Sequence, residues 1–307
     1  MLSGFMHRIW VSLKNGSALM RAGIYLVMAG LAFIFLYPFL YLMVTSLKSA
    51  VDLQDATVNW VPNAFVFSNF STAFGLMDYP QTFLNSILIS LLGTIGHVFS
   101  CSFVAYGLSR FRFAGSNLVF ALVVFTIIVP VQVVIIPQYV MFATFGVTDT
   151  WLPVVLPTFF GLGLRGGLFI FVFRQSFQGL PFALEDAAKI DGCGYLRTYF
   201  RIIMPISKSS IVVTSILSIV WHWNEYFESS IYLGKQSIRP LPSMLPSVYE
   251  YFQEMTTSVN TSGLEMPEVT LATVAAATFL AVIPMLAMFL IMQKQFIEGV
   301  ERTGIVE

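Results

Sequence analysis

One arginine stands inside an otherwise apolar stretch of the sequence, where a charge is unusual. Arg165 occurs in Phe159-Phe-Gly-Leu-Gly-Leu-Arg-Gly-Gly-Leu168, with four glycines around it. A charge inside a membrane span is costly unless it faces a cavity or a partner group, and glycines allow helices to approach closely or to break. We therefore expect Arg165 either to line a solute pathway or subunit contact, or to form a structural pair inside a helix bundle.

A second polar group occurs in the aromatic stretch Trp221-His-Trp-Asn-Glu-Tyr-Phe227. Aromatic rings can stack on the C–H faces of a sugar, while amide and carboxylate groups bind its hydroxyls. On this interpretation Trp223, Asn224, Glu225 and Tyr226 are candidate pathway residues. The alternative is a belt of aromatic residues at the outer membrane interface, where such side chains are enriched.

Catalytic and metal-binding chemistry is not indicated. Cys101 and Cys193 are far apart, the three histidines are scattered, and no metal-ligand spacing or disulfide framework is present. No nucleophile, base and orienting group occur together, so we expect no catalytic residue, no metal and no cofactor. Isolated polar residues in apolar stretches are expected to form hydrogen bonds between packed helices. These residues are Asn85, His97, Gln132 and Gln138.

The elements that hold these residues are predicted to be membrane-spanning helices. Of the 307 residues, 57% are hydrophobic and 10% are charged, against about 25% charged residues in a soluble domain. Formal net charge is zero, so no nucleic-acid surface is indicated. Backbone groups in lipid must be satisfied internally, and the alternation of a membrane barrel is missing, which favours an all-α chain. Six segments are long enough to cross: 22–46, 83–108, 117–141, 150–173, 209–233 and 269–292.

The distribution of basic residues predicts the orientation of these spans. Of the sixteen Lys and Arg residues, twelve fall on the side that holds both termini, three fall on the other side, and Arg165 lies inside a span. Since cytoplasmic loops carry the excess of Lys and Arg, both termini are predicted to be cytoplasmic, with outer loops at 47–82, 142–149 and 234–268. The predicted organisation is a cytoplasmic segment 1–21, a six-helix membrane domain 22–293 and a cytoplasmic tail 294–307.

The largest predicted cytoplasmic loop, at 174–208, contains a helix, a glycine hinge and a second helix within 181–205. Pro181 suits a first helical turn, and Glu185 is expected to pair with Lys189 one turn later. Gly192 and Gly194 are expected to supply the positive backbone angles that end the first helix. The second helix has an apolar stripe and is expected to end at Pro205. Taken alone, the pattern fits either an amphipathic connector on the membrane surface or a docking element for a partner.

This loop resembles the "EAA" loop of ABC importer permeases. Glu185-Asp-Ala-Ala-Lys-Ile-Asp-Gly192 matches its pattern with one residue inserted after the glutamate, as in the sugar branch. Met204-Pro205 stands where Leu-Pro is usual, and Cys193 replaces a common alanine. Further matches to the smaller permease of maltose-type carbohydrate importers extend over nearly the whole chain. They are Phe83-Leu-Asn-Ser86, Ala105-Tyr-Gly-Leu-Ser-Arg-Phe111, Pro130, Ile136-Pro137, Trp223-Asn224 and Gln295-Phe-Ile-Glu-Gly299.

The resemblance implies the type I ABC importer permease fold and a place in the bacterial cell membrane, surrounded by lipid. It implies three kinds of partner: ABC ATPase subunits, a second permease subunit and an extracytoplasmic solute-binding protein. The chain has no Gly-x4-Gly-Lys-Ser/Thr phosphate loop of its own, so ATP hydrolysis is expected in a partner. The residues that the resemblance assigns to ATPase coupling are Glu185, Ala187, Ala188, Asp191, Gly192, Phe200 and Pro205.

Three other functions are alternatives to a sugar permease, and the sequence favours them to different degrees. Permeases for polyamines, amino acids or phosphate share the coupling loop, so the solute is open, although Trp223-Asn224 and the tail favour sugar. A secondary transporter usually shows an inverted repeat and a charged relay at the membrane midplane, and neither is evident here. A membrane enzyme is disfavoured because no catalytic constellation occurs.

Overall fold

The described part of the chain, in a computed structural model, covers residues 18–58, 60–163, 165–262 and 269–304. Within it every regular element is a helix, which agrees with the predicted all-α class. The α-helices are α1 (Ala18–Ser46), α2 (Ala50–Gln54), α3 (Ser68–Leu76), α4 (Tyr79–Arg110), α5 (Ser116–Ile128), α6 (Val131–Thr144), α7 (Leu152–Val155), α8 (Gly166–Gln178), α9 (Ala183–Ile190), α10 (Tyr195–Ile206), α11 (Lys208–Asn224), α12 (Phe227–Tyr232), α13 (Leu245–Ser262) and α14 (Leu271–Gly304). Short 3₁₀ turns follow α7, at Leu156–Phe160, and precede α13, at Gln236–Ile238 and Leu241–Met244.

Three helices are long and apolar enough to cross a membrane, and they coincide with predicted spans. They are Met20–Ser46, Tyr79–Arg110 and Leu271–Gln295. Two further pairs pass the same test only together, since each is bent: α5 with α6 by 99° and α10 with α11 by 78°. By length and composition the described residues therefore offer three to five spans.

The predicted span 117–141 is broken where Pro130 interrupts it. Val129, before the proline, is extended at φ −68° and ψ 119°, and Pro130 caps the start of α6. A proline disfavours the helical conformation of the residue before it, so α5 ends at Ile128 and the chain bends.

Segment 150–173, predicted to be one span, is not one helix. It consists of α7, the 3₁₀ turn at Leu156–Phe160 and the start of α8, joined by a turn in which Gly161, Gly163 and Arg165 all have positive φ. The glycines provide these angles without steric cost. The predicted span 209–233 is likewise interrupted, because α11 ends at Asn224 and α12 begins at Phe227.

The described residues pack as two units, and those of the first lie within the bounds Met1–Leu76 and Val248–Val282. In the described residues of this unit, the segment after α1 is held by buried polar groups. Asn69 donates to the carbonyls of Ser46 and Lys48 at 2.9 and 3.0 Å, and Asn63 donates to Asp52 at 2.8 Å. This hydrogen bond from Asn63 is the main cause of a lowered pKa of Asp52.

The second unit, Met77–Ser247 with Ile283–Glu307, is organised around α4, which packs against α8 and α11. Glycines on α4 permit this close approach. A Cβ at Gly93 would lie 2.7 Å from Cδ2 of His222, and one at Gly96 would lie 2.9 Å from the Phe159 ring. The largest core joins α4, α8 and α10, with Phe169, Phe173, Phe177, Tyr199 and Ile203 completely buried.

Candidate functional site

The turn between α9 and α10 has the geometry of a Schellman motif. The amide of Cys193 donates to the carbonyl of Ala188 at 2.8 Å, and that of Gly192 donates to Lys189 at 3.0 Å. Gly192 has φ +76°, so the predicted positive angle is confirmed there. The same expectation for Gly194 is wrong, because it has φ −72° and ψ 164° and serves as the extended residue before α10.

Glu185 forms a buried ion pair with Arg110 at the end of α4. Arg110 Nε and Glu185 Oε1 are 3.1 Å apart, and the two side chains are only 1% and 8% exposed. The separation is that of an ion pair, although the angle falls outside that of a hydrogen bond. Arg110 also donates to the carbonyl of Leu180 at 3.0 Å, and its guanidinium carbon lies 4.6 Å from the centre of the Phe182 ring.

This pair corrects the expected Glu185–Lys189 contact. Lys189 instead binds Asp186, three residues before it, at 3.1 Å on the exposed face of α9. The hydrogen bond from Lys189 to Asp186 raises the pKa of the lysine. Sequence spacing allowed Lys189 to pair with either Glu185 or Asp186. Because Glu185 is buried against Arg110, Lys189 pairs with Asp186.

Helix α10 is anchored to the same part of the molecule by aromatic residues. The hydroxyls of Tyr199 and Ser102 are 2.7 Å apart, and the Tyr199 ring lies 5.2 Å from that of Tyr106. Residues 199–203 form a π-helical turn inside α10, which runs through Pro205 and ends at Ile206 rather than at the proline. Both helices are thus fixed to the end of α4 through their buried faces.

The opposite face of this helix pair is exposed, and its apolar side chains lie among the exposed charged residues Asp186, Lys189, Arg197 and Arg201. Ile190 is 87% exposed and Leu196 is 61% exposed, and Phe182, Phe200 and Ile206 are exposed beside them. The coupling residues assigned by resemblance divide between the two faces. Glu185 and Ala188 are buried within the chain, whereas Ala187, Asp191, Gly192, Phe200 and Pro205 are exposed.

The predicted pathway residues occupy different environments. Arg165 is exposed, has φ +64° before α8, and lies with its guanidinium carbon 5.5 Å from the Trp221 ring. Trp223 is buried, with its ring 5.9 Å from that of Phe83. The carboxylate of Glu225 accepts from the Glu228 amide at 2.8 Å, at the start of α12. Asn224 and Tyr226 are exposed.

A polar cluster that sequence reasoning did not assemble lies where α4 crosses α11. His97 Nδ1 is 3.1 Å from the Ser218 hydroxyl, and its Nε2 is 3.1 Å from the carbonyl of Leu162. The His222 ring is 5.2 Å from that of His97, with Nδ1 2.8 Å from the Ser218 carbonyl. The packing role expected of His97 is confirmed.

Two of the other isolated polar residues also have the expected role. Asn85 donates to the carbonyls of Ser237 and Arg239 at 2.9 and 3.0 Å, and Gln138 accepts from the Tyr232 hydroxyl at 3.1 Å. The role of Gln132 stays a prediction.

Comparison with known proteins shows that this chain is similar to components of membrane transport systems. Residues 98–301, more than half of the chain, match the family described as "Binding-protein-dependent transport system inner membrane component". A lactose transport system permease protein of Rhizobium radiobacter is 26% identical over 275 residues, covering 90% of this chain and 93% of the relative. An arabinooligosaccharides transport system permease protein of Bacillus subtilis (strain 168) is 28% identical over 278 residues, covering 90% and 92%.

The fold agrees with that of a solved transporter structure. A chain from the crystal structure of a bacterial ABC transporter involved in the import of the acidic polysaccharide alginate superimposes with a TM-score of 0.73. The match covers 92% of this chain and 98% of that chain, at 20% sequence identity. With apolar helices long enough to span a bilayer and a family match across most of the second unit, this chain belongs to the binding-protein-dependent transport system inner membrane components, a family of membrane permeases.

Proposed function

We propose that this chain is a permease subunit of an ATP-driven importer for sugars or oligosaccharides. Relatives over about nine-tenths of its length are permeases named for lactose and for arabinooligosaccharides. The observation that carries the coupling part of the proposal is the α9–α10 pair, which is fixed on one face and exposes apolar and charged side chains together on the other. An exposed apolar patch marks contact with a protein or with a membrane, and the exposed acidic and basic residues on the same face favour a protein.

The partner at that surface is an ATPase subunit. Ile190 and Leu196 are the outward apolar groups that it would cover, and the Gly192 turn sets the angle between the two helices. Because Glu185 is paired with Arg110, movement of α9 is transmitted to the end of α4. Helix α4 has 32 residues, a length of about 48 Å at 1.5 Å per residue. A rigid helix of that length can convert movement at one membrane face into movement at the other.

The membrane arrangement in this proposal has six spans and both termini in the cytoplasm. It includes the segment 1–21, the membrane domain 22–293 and the tail 294–307. The excess of basic residues on one side supports the orientation. The fourth span would be built from α7, the turn at 161–165 and α8, since broken helices are tolerated where they face protein or a cavity. A second permease subunit, a solute-binding protein outside the cell and surrounding lipid complete the assembly.

The solute pathway in this proposal passes the exposed groups at the turn before α8 and at the break after α11. Arg165, Asn224 and Tyr226 offer a cation, an amide and an aromatic hydroxyl on exposed surface. Glu225 and the buried Trp223 would shape the site rather than contact the solute.

Arg165→Leu is expected to reduce uptake at least tenfold while ATPase binding is kept, and Arg165→Lys tests whether charge alone suffices. Normal uptake by Arg165→Leu would remove this residue from the pathway.

The experiment for the whole proposal is reconstitution. The chain is placed in vesicles with the proposed ATPase, second permease and solute-binding protein. We expect uptake of a labelled oligosaccharide that requires ATP and the binding protein. Uptake of an amino acid or polyamine in place of sugar would refute the solute class. Uptake driven by an ion gradient without the ATPase would refute the coupling mechanism and indicate a secondary transporter.

A further inference from the structure

A cavity of about 320 Å³ lies at the end of α4 that holds Arg110. It is formed by the last turn of α4, the connection to α5, the first turn of α5 and one side chain of α8. Its polar lining consists of Ser109, Arg112, Ser116, Asn117 and Arg174. Two cations, two hydroxyls and an amide therefore face one space, and none of the residues that line it is acidic.

Neither arginine has its charge matched within the part of the chain that the structure describes. The ion pairs found there are Arg110–Glu185 and Lys189–Asp186. Arg174 is held in place by other contacts, since its guanidinium carbon lies 3.8 Å from the centre of the Phe120 ring and Nη1 donates to Gln178 at 3.3 Å. Its Nε is buried without a hydrogen-bond partner. A cation that is fixed, partly buried and unmatched is suited to an external anion.

The start of α5 adds positive potential to the same cavity. Gly115 precedes the helix with φ +87° and provides no side-chain cap. The first amides of an uncapped helix carry partial positive charge and can bind an anion. Helix α5 alone would not define a site, but here its first residues, Ser116 and Asn117, lie in a cavity that also contains Arg112 and Arg174.

We propose that this cavity binds the phosphate group of an anionic membrane lipid. A phosphate offers several charged oxygens to two arginines, hydroxyls and helix amides at once. The lipid, rather than free phosphate, is favoured by the apolar surroundings. Phe113 in the cavity wall is 47% exposed, and none of the residues of α5 is buried within the chain. Acyl chains would cover this surface while the headgroup occupies the cavity. With the orientation given under the proposed function, on which this point rests, the cavity lies at the inner leaflet.

The test measures lipid retention by the purified full-length chain in a non-ionic detergent. Phosphatidylglycerol or phosphatidylcholine is added, and bound lipid is counted by native mass spectrometry. The variant is Arg112→Gln with Arg174→Gln. The matched control is Lys208→Gln with Lys294→Gln, which removes the same charge from two exposed residues outside the cavity. We expect the arginine variant to bind phosphatidylglycerol about tenfold more weakly than the control.

The following results would overturn the proposal or part of it. Equal retention of phosphatidylglycerol by the arginine variant and the control overturns the site. Displacement of the lipid by millimolar inorganic phosphate overturns the lipid assignment and leaves a site for soluble phosphate. Equal retention of phosphatidylcholine and phosphatidylglycerol by the unmodified chain overturns the preference for an anion. Should the double variant not fold, the exposed Arg112→Gln alone must still lower retention severalfold for the proposal to stand.

Discussion

At the scale of single residues, the buried ion pair of Glu185 with Arg110 links α9 to the end of α4. Glu185→Ala leaves the Arg110 guanidinium buried without a countercharge. We expect a loss of about 3–5 kcal/mol, the usual consequence of removing one member of a buried pair. Arg110→Met combined with Glu185→Leu should recover much of this loss, because neither charge is then buried alone. Unfolding of the purified chain in mixed micelles measures the effect.

The control for this prediction is Asp186→Ala. Asp186 adjoins Glu185 on the same helix, but its contact with Lys189 is exposed. Exposed pairs contribute little to stability, so this variant should unfold like the unmodified chain. Equal loss of stability in Asp186→Ala and Glu185→Ala would show that the buried pair has no special role.

At the scale of elements, Gly192 and Gly194 test whether backbone angle or space matters at the α9–α10 turn. A Cβ would meet nothing within 4 Å at either position, but only Gly192 has a positive φ. Gly192→Ala should therefore cost about 1–2 kcal/mol of local strain, with about tenfold weaker ATPase binding. Gly194→Ala should bind normally. Titration of the labelled ATPase subunit onto the reconstituted chain provides the measurement, and equal affinity of the two variants would contradict the assignment.

Ala188 is buried, so a substitution there does not test contact with a partner. A bulky residue there would seem suited to repel a partner surface, but Ala188 is 2% exposed and lies inside its own chain. Ala188→Trp would therefore disturb the packing of α9 inside its own chain, and a loss of coupling would not report on the interface. Ala187, which is exposed beside it, is the position at which added bulk tests contact with the ATPase.

The crossing of α4 with α11 provides a second prediction at this scale. Gly93→Ala would place a Cβ against the His222 ring, whereas at Gly107, on the same helix, nothing lies within 4 Å. We expect Gly93→Ala to lower the thermal unfolding temperature through overpacking, at a cost of about 2 kcal/mol. Gly107→Ala should be neutral or slightly stabilising. Adding His222→Ala to Gly93→Ala should restore part of the loss, and no restoration would mean that the ring is not the obstacle.

At the scale of the whole molecule, the two natural cysteines test the proposed orientation. Cys101 is buried, and Cys193 is partly exposed in the turn after α9. A membrane-impermeant maleimide should label Cys193 only after the cells are permeabilised. In a Cys193→Ser background, Asp55→Cys, at an exposed position after α2, should react in intact cells. Labelling of Cys193 from outside would reverse the predicted topology.

Sequence alone determined the features that depend on contiguous residues. Long apolar runs must form helices in lipid, since their backbone groups have no other partners there, and the helices at Met20–Ser46, Tyr79–Arg110 and Leu271–Gln295 agree with that expectation. The helix, glycine turn and second helix within 181–205 could be predicted for the same reason. The glycine at 192 ends the first helix through hydrogen bonds to carbonyls only a few residues away.

Only the tertiary structure decided which side chains meet. Glu185 had a plausible partner one turn away, yet the buried position of Arg110, distant in sequence, determines its ion pair. His97, Ser218 and His222 form one cluster because Gly93 lets α4 and α11 approach closely. The glycines around Arg165 allowed either close helix approach or a break, and hydropathy could not choose between these because it contains no information on backbone angle. Such pairings depend on packing between segments, whose free energy is set by shape and distance rather than by local spacing.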